Sequence, residues 1–167
     1  MTYLNSYYIY LCLILLNGCS IYSFSGASIS EHTETVSIKY IRNEADLIEP
    51  QLSNRLTEAL IQKCQTETNL TILETGADIN FSGKIVQYEV QPIAIQNNET
   101  AAQNRLTIGV EINYINNTNN TDSFNQLFTQ YADFNSNTNF SEVEETLNNL
   151  IVEEIVEDIF NKAFMNW

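Results

Sequence analysis

The chain is poor in basic residues and in histidine. Its 167 residues contain 7 Lys and Arg against 21 Asp and Glu, for a formal net charge of −14. This balance argues against nucleic-acid binding, whose affinity comes largely from basic side chains that neutralise phosphates. The single histidine, His32, precedes the periodic segments. No histidine-based triad, zinc site or general base can therefore be built in the core.

The chain also lacks paired cysteines and glycine-rich motifs. Cys12, Cys19 and Cys64 do not make a disulfide framework. With only 5 glycines, the sequence shows no phosphate-binding loop and no nucleophile elbow. We therefore expect no enzyme, no metal site and no cofactor.

One acidic cluster could in principle carry chemistry. Glu153, Glu154, Glu157 and Asp158 lie at helical spacing and could bind calcium weakly or hold two carboxylates for acid–base work. The alternative is the solvated polar face of a helix whose other side is apolar. We favour the second interpretation.

The N-terminal segment resembles a bacterial lipoprotein leader. Residues 7–16 form an apolar run of ten, which suits a signal peptide but is too short to span a bilayer. The following Leu16-Asn17-Gly18-Cys19 resembles a lipobox, so we expect lipidation at Cys19. Two or three acyl chains would anchor the protein stably. An ordinary secretory signal or an uncleaved anchor is the alternative, since Asn17 is unusual and the leader has no Lys or Arg.

The remainder has the size and composition of one domain. The hydrophobic fraction of 44% fits a globular protein. We expect a signal peptide over residues 1–18, one domain over residues 35–167, and between them a tether over residues 19–34 whose end packs on the domain.

Strand periodicity covers four segments of this domain, and residues 69–73 are expected to form a short strand or the approach to one. Residues 106–114 alternate most cleanly, and residues 123–134 return across an Asn-rich turn as a hairpin. In residues 79–95 the alternation slips near residues 83–86, which predicts a β-bulge. Pro92 places the end of that strand at an edge or leaves it unpaired. In residues 35–41 the pattern puts Val36, Ile38 and Tyr40 on one face.

Two segments have helical periodicity. After Pro50, which can occupy a first helical position, Leu52, Leu56, Leu60 and Cys64 form one buried stripe. This placement predicts that Cys64 is a small core hydrophobe. The second helix should span residues 142–164, with Ser141 and Glu144 as a capping box. Its apolar stripe comprises Val143, Leu147, Leu150, Ile151, Ile155, Ile159, Ala163 and Trp167.

The order β-α-(β)-β-β-β-α predicts an α+β fold with two helices on one face of a mostly antiparallel sheet. The other face of the sheet must be covered by something else or stay partly exposed.

Several segments, in order behind the lipobox, resemble the LptE-like family of lipopolysaccharide-assembly lipoproteins. They are residues 18–29 (GCSIYSFSGASI), 98–102 (NETAA), 104–107 (NRLT), 132–134 (ADF), 156–163 (VEDIFNKA) and 166–167 (NW). The resemblance implies a four-stranded α+β domain without catalytic activity. It implies an outer-membrane lipoprotein that faces the periplasm. It also implies a partner, the β-barrel LptD, which the lipoprotein plugs and helps to assemble for lipopolysaccharide transport.

Direct lipopolysaccharide binding fits this chain less well, because both molecules are strongly anionic. It would need bridging cations or a local basic patch around Lys39, Arg42 or Arg105. We therefore expect a structural plug. The competing hypotheses are a periplasmic lipoprotein that binds or carries an amphiphile in a cleft between helices and sheet, and another kind of non-enzymatic envelope lipoprotein.

Overall fold

A computed structural model describes residues 29–30, 32–93 and 102–165. The predicted leader, Cys19 and Trp167 lie outside these residues. The elements are β1 (Thr35–Ile38), β2 (Arg42–Asn43), α1 (Leu52–Glu67), β3 (Thr71–Ile72), β4 (Ile79–Ile93), β5 (Gln103–Asn116), a 3₁₀ turn (Asn120–Asp122), β6 (Phe124–Asn135) and α2 (Phe140–Phe164).

All the strands belong to one mixed sheet. Its order is β3-β1-β4-β5-β6, and β2 also pairs with β4. β1 and β2 run parallel to β4, whereas β4, β5 and β6 form an antiparallel meander. The predicted fold class is confirmed. The four longer strands are those expected from periodicity, and β3 lies within the short strand expected over residues 69–73. Only β2, with two residues, was not predicted.

The predicted bulge is present in β4. The register with β5 shifts between Ile85 and Gln87, so that Val86 has no partner of its own. The shift lets both Ile85 and Tyr88 point into the core although their numbers differ in parity. Beyond Asn43–Ile85, no described residue pairs with the other edge of β4, and Pro92 lies on this free edge.

The α1 stripe is confirmed, because Leu52, Leu56, Leu60 and Cys64 are all fully buried. The helix begins at Leu52 with Gln51 as its N-cap. Pro50 therefore lies in the turn before the helix and not at its first position. In this turn, as at a first helical position, the missing N–H of proline costs little.

The capping box predicted for α2 is wrong, because the N-cap lies two residues before Ser141. Asn139 is the N-cap, and its side-chain oxygen accepts hydrogen bonds from the backbone N–H (3.3 Å) and the hydroxyl (3.0 Å) of Ser141. Asparagine caps a helix as well as serine does. The helix therefore begins at Phe140, and Ser141 lies inside it.

The apolar stripe of α2 also differs from the prediction. Leu150 is 53% exposed, whereas Asn148, Val152, Val156 and Phe160 are buried. The reason is that α2 packs against both the sheet and α1. Its buried surface is therefore wider than a single stripe, and Leu150 lies on the remaining side.

The strand predicted over residues 35–41 ends early. β1 stops at Ile38, and the chain bends before β2. Ile41 is consequently buried and Tyr40 is 54% exposed, opposite to the alternation expected from the sequence. The backbone N–H of Ile41 donates to Thr57 Oγ1 on α1 at 3.1 Å, which fixes the bend against the helix.

The Asn-rich connection between β5 and β6 is organised by its own side chains. Asn116 is buried, and its Oδ1 accepts hydrogen bonds from the N–H and hydroxyl of Thr118 and from the N–H of Asn119. Side-chain oxygens of this kind replace backbone partners in tight turns. Thr118 in turn contacts the hydroxyl of Thr33 at 2.9 Å.

Asp78 ties the entry of β1 to the entry of β4. Its Oδ2 accepts hydrogen bonds from the backbone N–H groups of Glu34 and Thr35, both at 3.0 Å, and from the Thr35 hydroxyl at 2.7 Å. The Thr35 hydroxyl bond and the Glu34 backbone bond hold the pKa of Asp78 below its usual range.

We expect this contact to make stability depend on acid pH. Because the folded pKa of Asp78 is lowered, its contribution is present above the ordinary Asp pKa and is lost as the pH falls through the folded value. The thermal midpoint of Asp78→Asn should be lower than that of the parent at pH 7. The difference should shrink at pH 3. An equal difference at both pH values would contradict the role assigned to the carboxylate.

Candidate interaction surface on the open face of the sheet

The sheet face opposite the helices is uncovered by any described element. We call it the open face, formed by the outward side chains of β4, β5 and β6 and by the bend between β1 and β2. It carries exposed apolar and aromatic side chains among polar ones, namely Tyr40, Val86, Ile115, Leu127 and Tyr131. This uncovered face agrees with the expectation that two helices cover only one side.

A shallow cleft of about 390 Å³ lies at one end of the open face. Its lining comprises Lys39, Tyr40, Arg42, Glu44, Ser82, Gly83, Lys84, Glu111 and Asn113. Two of the three basic residues singled out from the sequence, Lys39 and Arg42, are therefore brought together. The bend after β1 and the parallel pairing of β2 with β4 place them there.

The third cation of the cleft, Lys84, was missed by sequence reasoning. It lies on β4 and is the register partner of Arg42. The parallel pairing of a two-residue strand leaves almost no periodic signal in a sequence. No motif could therefore have joined Lys84 to Arg42.

The cations of the cleft are largely engaged by carboxylates. Glu44 lies 3.4 Å from Arg42 and 3.3 Å from Lys84, and Glu111 lies 4.0 Å from Lys84. Lys39 has no salt bridge within the described part of the chain. Because these side chains are well exposed, each pair contributes on the order of 0–1 kcal/mol. The cleft thus has one surplus positive charge on an otherwise acidic protein.

Arg105 lies outside the cleft. It is six residues along β5 from Glu111, roughly 20 Å away at the rise of a strand. Its guanidinium makes two hydrogen bonds to Asp133, at 2.7 and 2.9 Å, and stacks 3.6 Å from the ring centroid of Tyr131. The hydrogen bond from Arg105 holds the pKa of Asp133 below its usual range. Arg105 is therefore committed to neighbours within the sheet.

Gly83 forms part of the floor of the cleft. A Cβ at this position would lie 2.5 Å from the backbone oxygen of Glu111 and 2.8 Å from Ile112 Cδ1. The close approach of β4 and β5 therefore requires glycine.

We expect Gly83→Ala to lower the free energy of unfolding by about 1–3 kcal/mol, since the strands must separate to admit the methyl group. Urea unfolding followed by circular dichroism would measure this. Ser82→Ala is the matched control on the same strand, with an expected change within about 0.5 kcal/mol. Equal free energies of unfolding for the two variants would show that β4 and β5 can separate at residue 83 without loss of stability.

The acidic residues of α2 bond to separate elements. Glu157 accepts from Lys63 on α1 at 2.6 Å, and Asp158 accepts from Gln130 on β6 at 2.7 Å. The hydrogen bond from Lys63 holds the pKa of Glu157 below its usual range. Glu153 and Glu154 are exposed. The described residues contain no group of three His, Cys, Asp or Glu side chains placed to hold a metal ion.

Two further residues considered in the sequence, Cys64 and His32, lie outside the open face. Cys64 is fully buried on α1, and burial raises the pKa of its thiol to about 12, as expected for a core hydrophobe. His32 is exposed in a turn before β1. Within the described ranges, no helix combines the length and the apolar composition that crossing a membrane requires.

Solved structures show the same fold in bacterial proteins, two of which are lipoproteins. A minor lipoprotein from Acinetobacter baumannii is 10% identical, with a TM-score of 0.51 over 78% of this chain and 91% of that one. Lipoprotein B from Nitrosomonas europaea is 14% identical, with a TM-score of 0.50 over 86% and 88%. A homologue of a neuraminyllactose-binding hemagglutinin from Helicobacter pylori is 10% identical, with a TM-score of 0.52 over 85% and 89%.

A search of curated proteins finds no match. The model of the LptE family, described as lipopolysaccharide-assembly, matches residues 33–163, which include every helix and strand except the last residue of α2. This match confirms the resemblance read from the sequence. The chain therefore belongs to the LptE family of lipopolysaccharide assembly, a family of non-enzymatic outer-membrane lipoproteins.

Proposed function

We propose that this protein is a periplasm-facing lipoprotein, anchored in the outer membrane through lipid on Cys19, that plugs the β-barrel LptD and helps it to assemble. The observation that carries the proposal is the family match over residues 33–163, which spans nearly the whole folded domain. The lipobox-like Leu16-Asn17-Gly18-Cys19 supports the anchor.

The open face supports a protein neighbour. Tyr40, Leu127 and Tyr131 are each 54% exposed on it, and no described element covers them. Aromatic side chains spaced among polar ones suit an interface with a second protein. We assign this face to the contact with the barrel.

The charges favour a plug over a lipopolysaccharide-binding module. A phosphate entering the cleft would have to compete with Glu44 and Glu111 for Arg42 and Lys84. Arg105 is already paired with Asp133. Of the cleft cations and Arg105, only Lys39 could meet an anion without displacing a carboxylate of the described chain.

One observation favours the alternative, a carrier of an amphiphile. A cavity of about 330 Å³ lies between the end of α2 and the sheet, where Phe124 and Phe164 line it together with polar side chains such as Asn116, Asp122 and Lys162. This volume is at the lower end for small-molecule pockets. Because much of this lining is polar, the cavity supports a carrier less than the open face supports a protein contact.

Affinity purification of the complete chain from gently solubilised outer membranes separates these functions. We expect a large barrel protein to co-purify and to be identified as LptD by mass spectrometry. Depletion of the chain should lower the amount of assembled barrel. Recovery of the chain with an amphiphile and without a barrel would favour the alternative function.

Two variants matched in exposure test the assigned surface. Tyr40→Asp changes the open face, whereas Leu150→Asp changes α2 at a side chain that is 53% exposed. We expect the first to lower barrel recovery several-fold and the second to leave it unchanged. The opposite pattern would move the contact to the helices.

A further inference from the structure

β6 is the last strand of the sheet, and its outer edge has no partner among the described residues. It is 12 residues long, and its pairing with β5 runs without a register shift from Gln103–Asn135 to Tyr114–Phe124. Such an edge presents a continuous row of unpaired N–H and C=O groups. These groups are a template for another strand.

The edge of β6 lacks the features that usually block pairing. It contains no proline, no lysine, no arginine and no bulge, and its single charged residue is Asp133, which is bound by Arg105. The free edge of β4 differs, because the bulge at Val86 and Pro92 interrupt it. One edge is therefore protected, whereas the longer exposed edge is not.

The sequence of β6 is complementary to itself in one antiparallel register. Around Thr129, a twofold axis perpendicular to the sheet would pair Leu127 with Tyr131 of the second strand, twice. It would also pair Asn125 with Asp133, so that the one charged residue of β6 does not lie opposite its own copy. Leu127 and Tyr131 are each 54% exposed in the single chain. Such cross-strand pairs of apolar side chains stabilise antiparallel sheets.

We propose that the β6 edge pairs with the β6 edge of a second copy of this chain, in antiparallel register about Thr129. The two sheets then form one continuous sheet with all helices on one side. The Arg105–Asp133 pairs stay intact and flank the new contact. Leu127 and Tyr131 also lie on the face that we assign to the barrel, but the two contacts are tested separately, since the mass of the purified chain reports the dimer in the absence of the barrel.

Electrostatics limit the strength of this pairing. Each chain carries a formal charge of −14, and Asp158 lies near the edge through its hydrogen bond to Gln130. Salt screens repulsion between exposed like charges, with a Debye length of about 10 Å at 0.1 M. Dimer formation should therefore become stronger as the salt concentration rises.

Disulfide trapping tests the register. The antiparallel pairing brings the Thr129 Cα atoms of the two copies to about 5 Å, within the range that a disulfide spans. Thr129→Cys in the complete chain should therefore give a disulfide-linked dimer under mild oxidation, seen as a doubled mass on a non-reducing gel. Asn125→Cys is the matched control on the same face, because its own copy would lie roughly 27 Å away. The parent chain gives the baseline from its own cysteines.

Light scattering of the detergent-purified chain tests the contact without a new cysteine. We expect the protein mass to rise toward twice that of the single chain as concentration and salt increase. Leu127→Lys should abolish the rise, whereas Leu150→Lys, equally exposed on α2, should leave it unchanged. A single-chain mass at every concentration would overturn the proposal. Equal trapping at positions 125 and 129 would overturn the register.

Discussion

Phe81→Ala should lower the free energy of unfolding by about 3–5 kcal/mol, the largest effect we expect from one core substitution. Phe81 is 1% exposed and lies in β4, between its register partners Ile38 on β1 and Tyr114 on β5. Its ring centroid is 4.9 Å from that of Tyr114 and 6.0 Å from that of Phe164 on α2. Removing the ring would leave a cavity where the sheet meets the helix.

Urea unfolding followed by far-ultraviolet circular dichroism measures this loss. Phe81→Leu keeps much of the buried volume and should cost clearly less. Leu150→Ala removes an exposed side chain and should change stability by no more than about 0.5 kcal/mol. A Phe81→Ala protein as stable as the Leu150→Ala protein would show that this aromatic contact does not hold the sheet to α2.

Cys19→Ser should release the protein from the outer membrane. Without the thiol no diacylglycerol can be attached, and the ten apolar residues of the leader are too short to act as a comfortable membrane span. Membrane fractionation and mass spectrometry of the mature N-terminus would measure the effect. In the parent we expect an acylated Cys19 as the first residue.

Cys12→Ser is the matched control, because Cys12 lies in the part of the leader that the proposed cleavage removes. This variant should fractionate with the membrane as the parent does. Complete retention of Cys19→Ser in the membrane, together with acyl labelling, would rule out Cys19 as the anchor. The fold and the family membership would stand in that case.

Local patterns of the sequence predicted the long elements well. The alternation of residues 106–114 gave β5, and the slip near residue 85 indicated the bulge that the register of β4 shows. The spacing of Leu52, Leu56, Leu60 and Cys64 gave the buried side of α1. These patterns succeed because each element buries one side, and burial repeats with the period of the element.

The errors fall where a long-range contact overrode a local pattern. Ile41 replaces Tyr40 in the core because the chain bends toward Thr57 of α1. Leu150 is exposed because α1 occupies another side of α2. Asn139 replaces Ser141 as the N-cap of α2. Asn and Ser are both favoured N-cap residues, and the sequence alone does not decide between two that lie so close together.

The candidate surface was only partly visible in the sequence. Lys39, Arg42 and Arg105 could be named as basic residues on an acidic chain, but only strand register brings Lys84 into the cleft and leaves Arg105 outside it. Parallel pairing places Lys84 beside Arg42, whereas antiparallel pairing places Arg105 beside Asp133. Residues far apart in sequence leave no periodic trace of such pairings.

The sequence by itself determined the fold class, the family, the acidic charge and the lipobox-like leader, because these depend on composition and on short-range order. The tertiary structure decided which face of the sheet stays open, which cations share a cleft and which strand ends the sheet. The physical reason is that these properties arise from strand order and register, which are set by packing the whole chain at once.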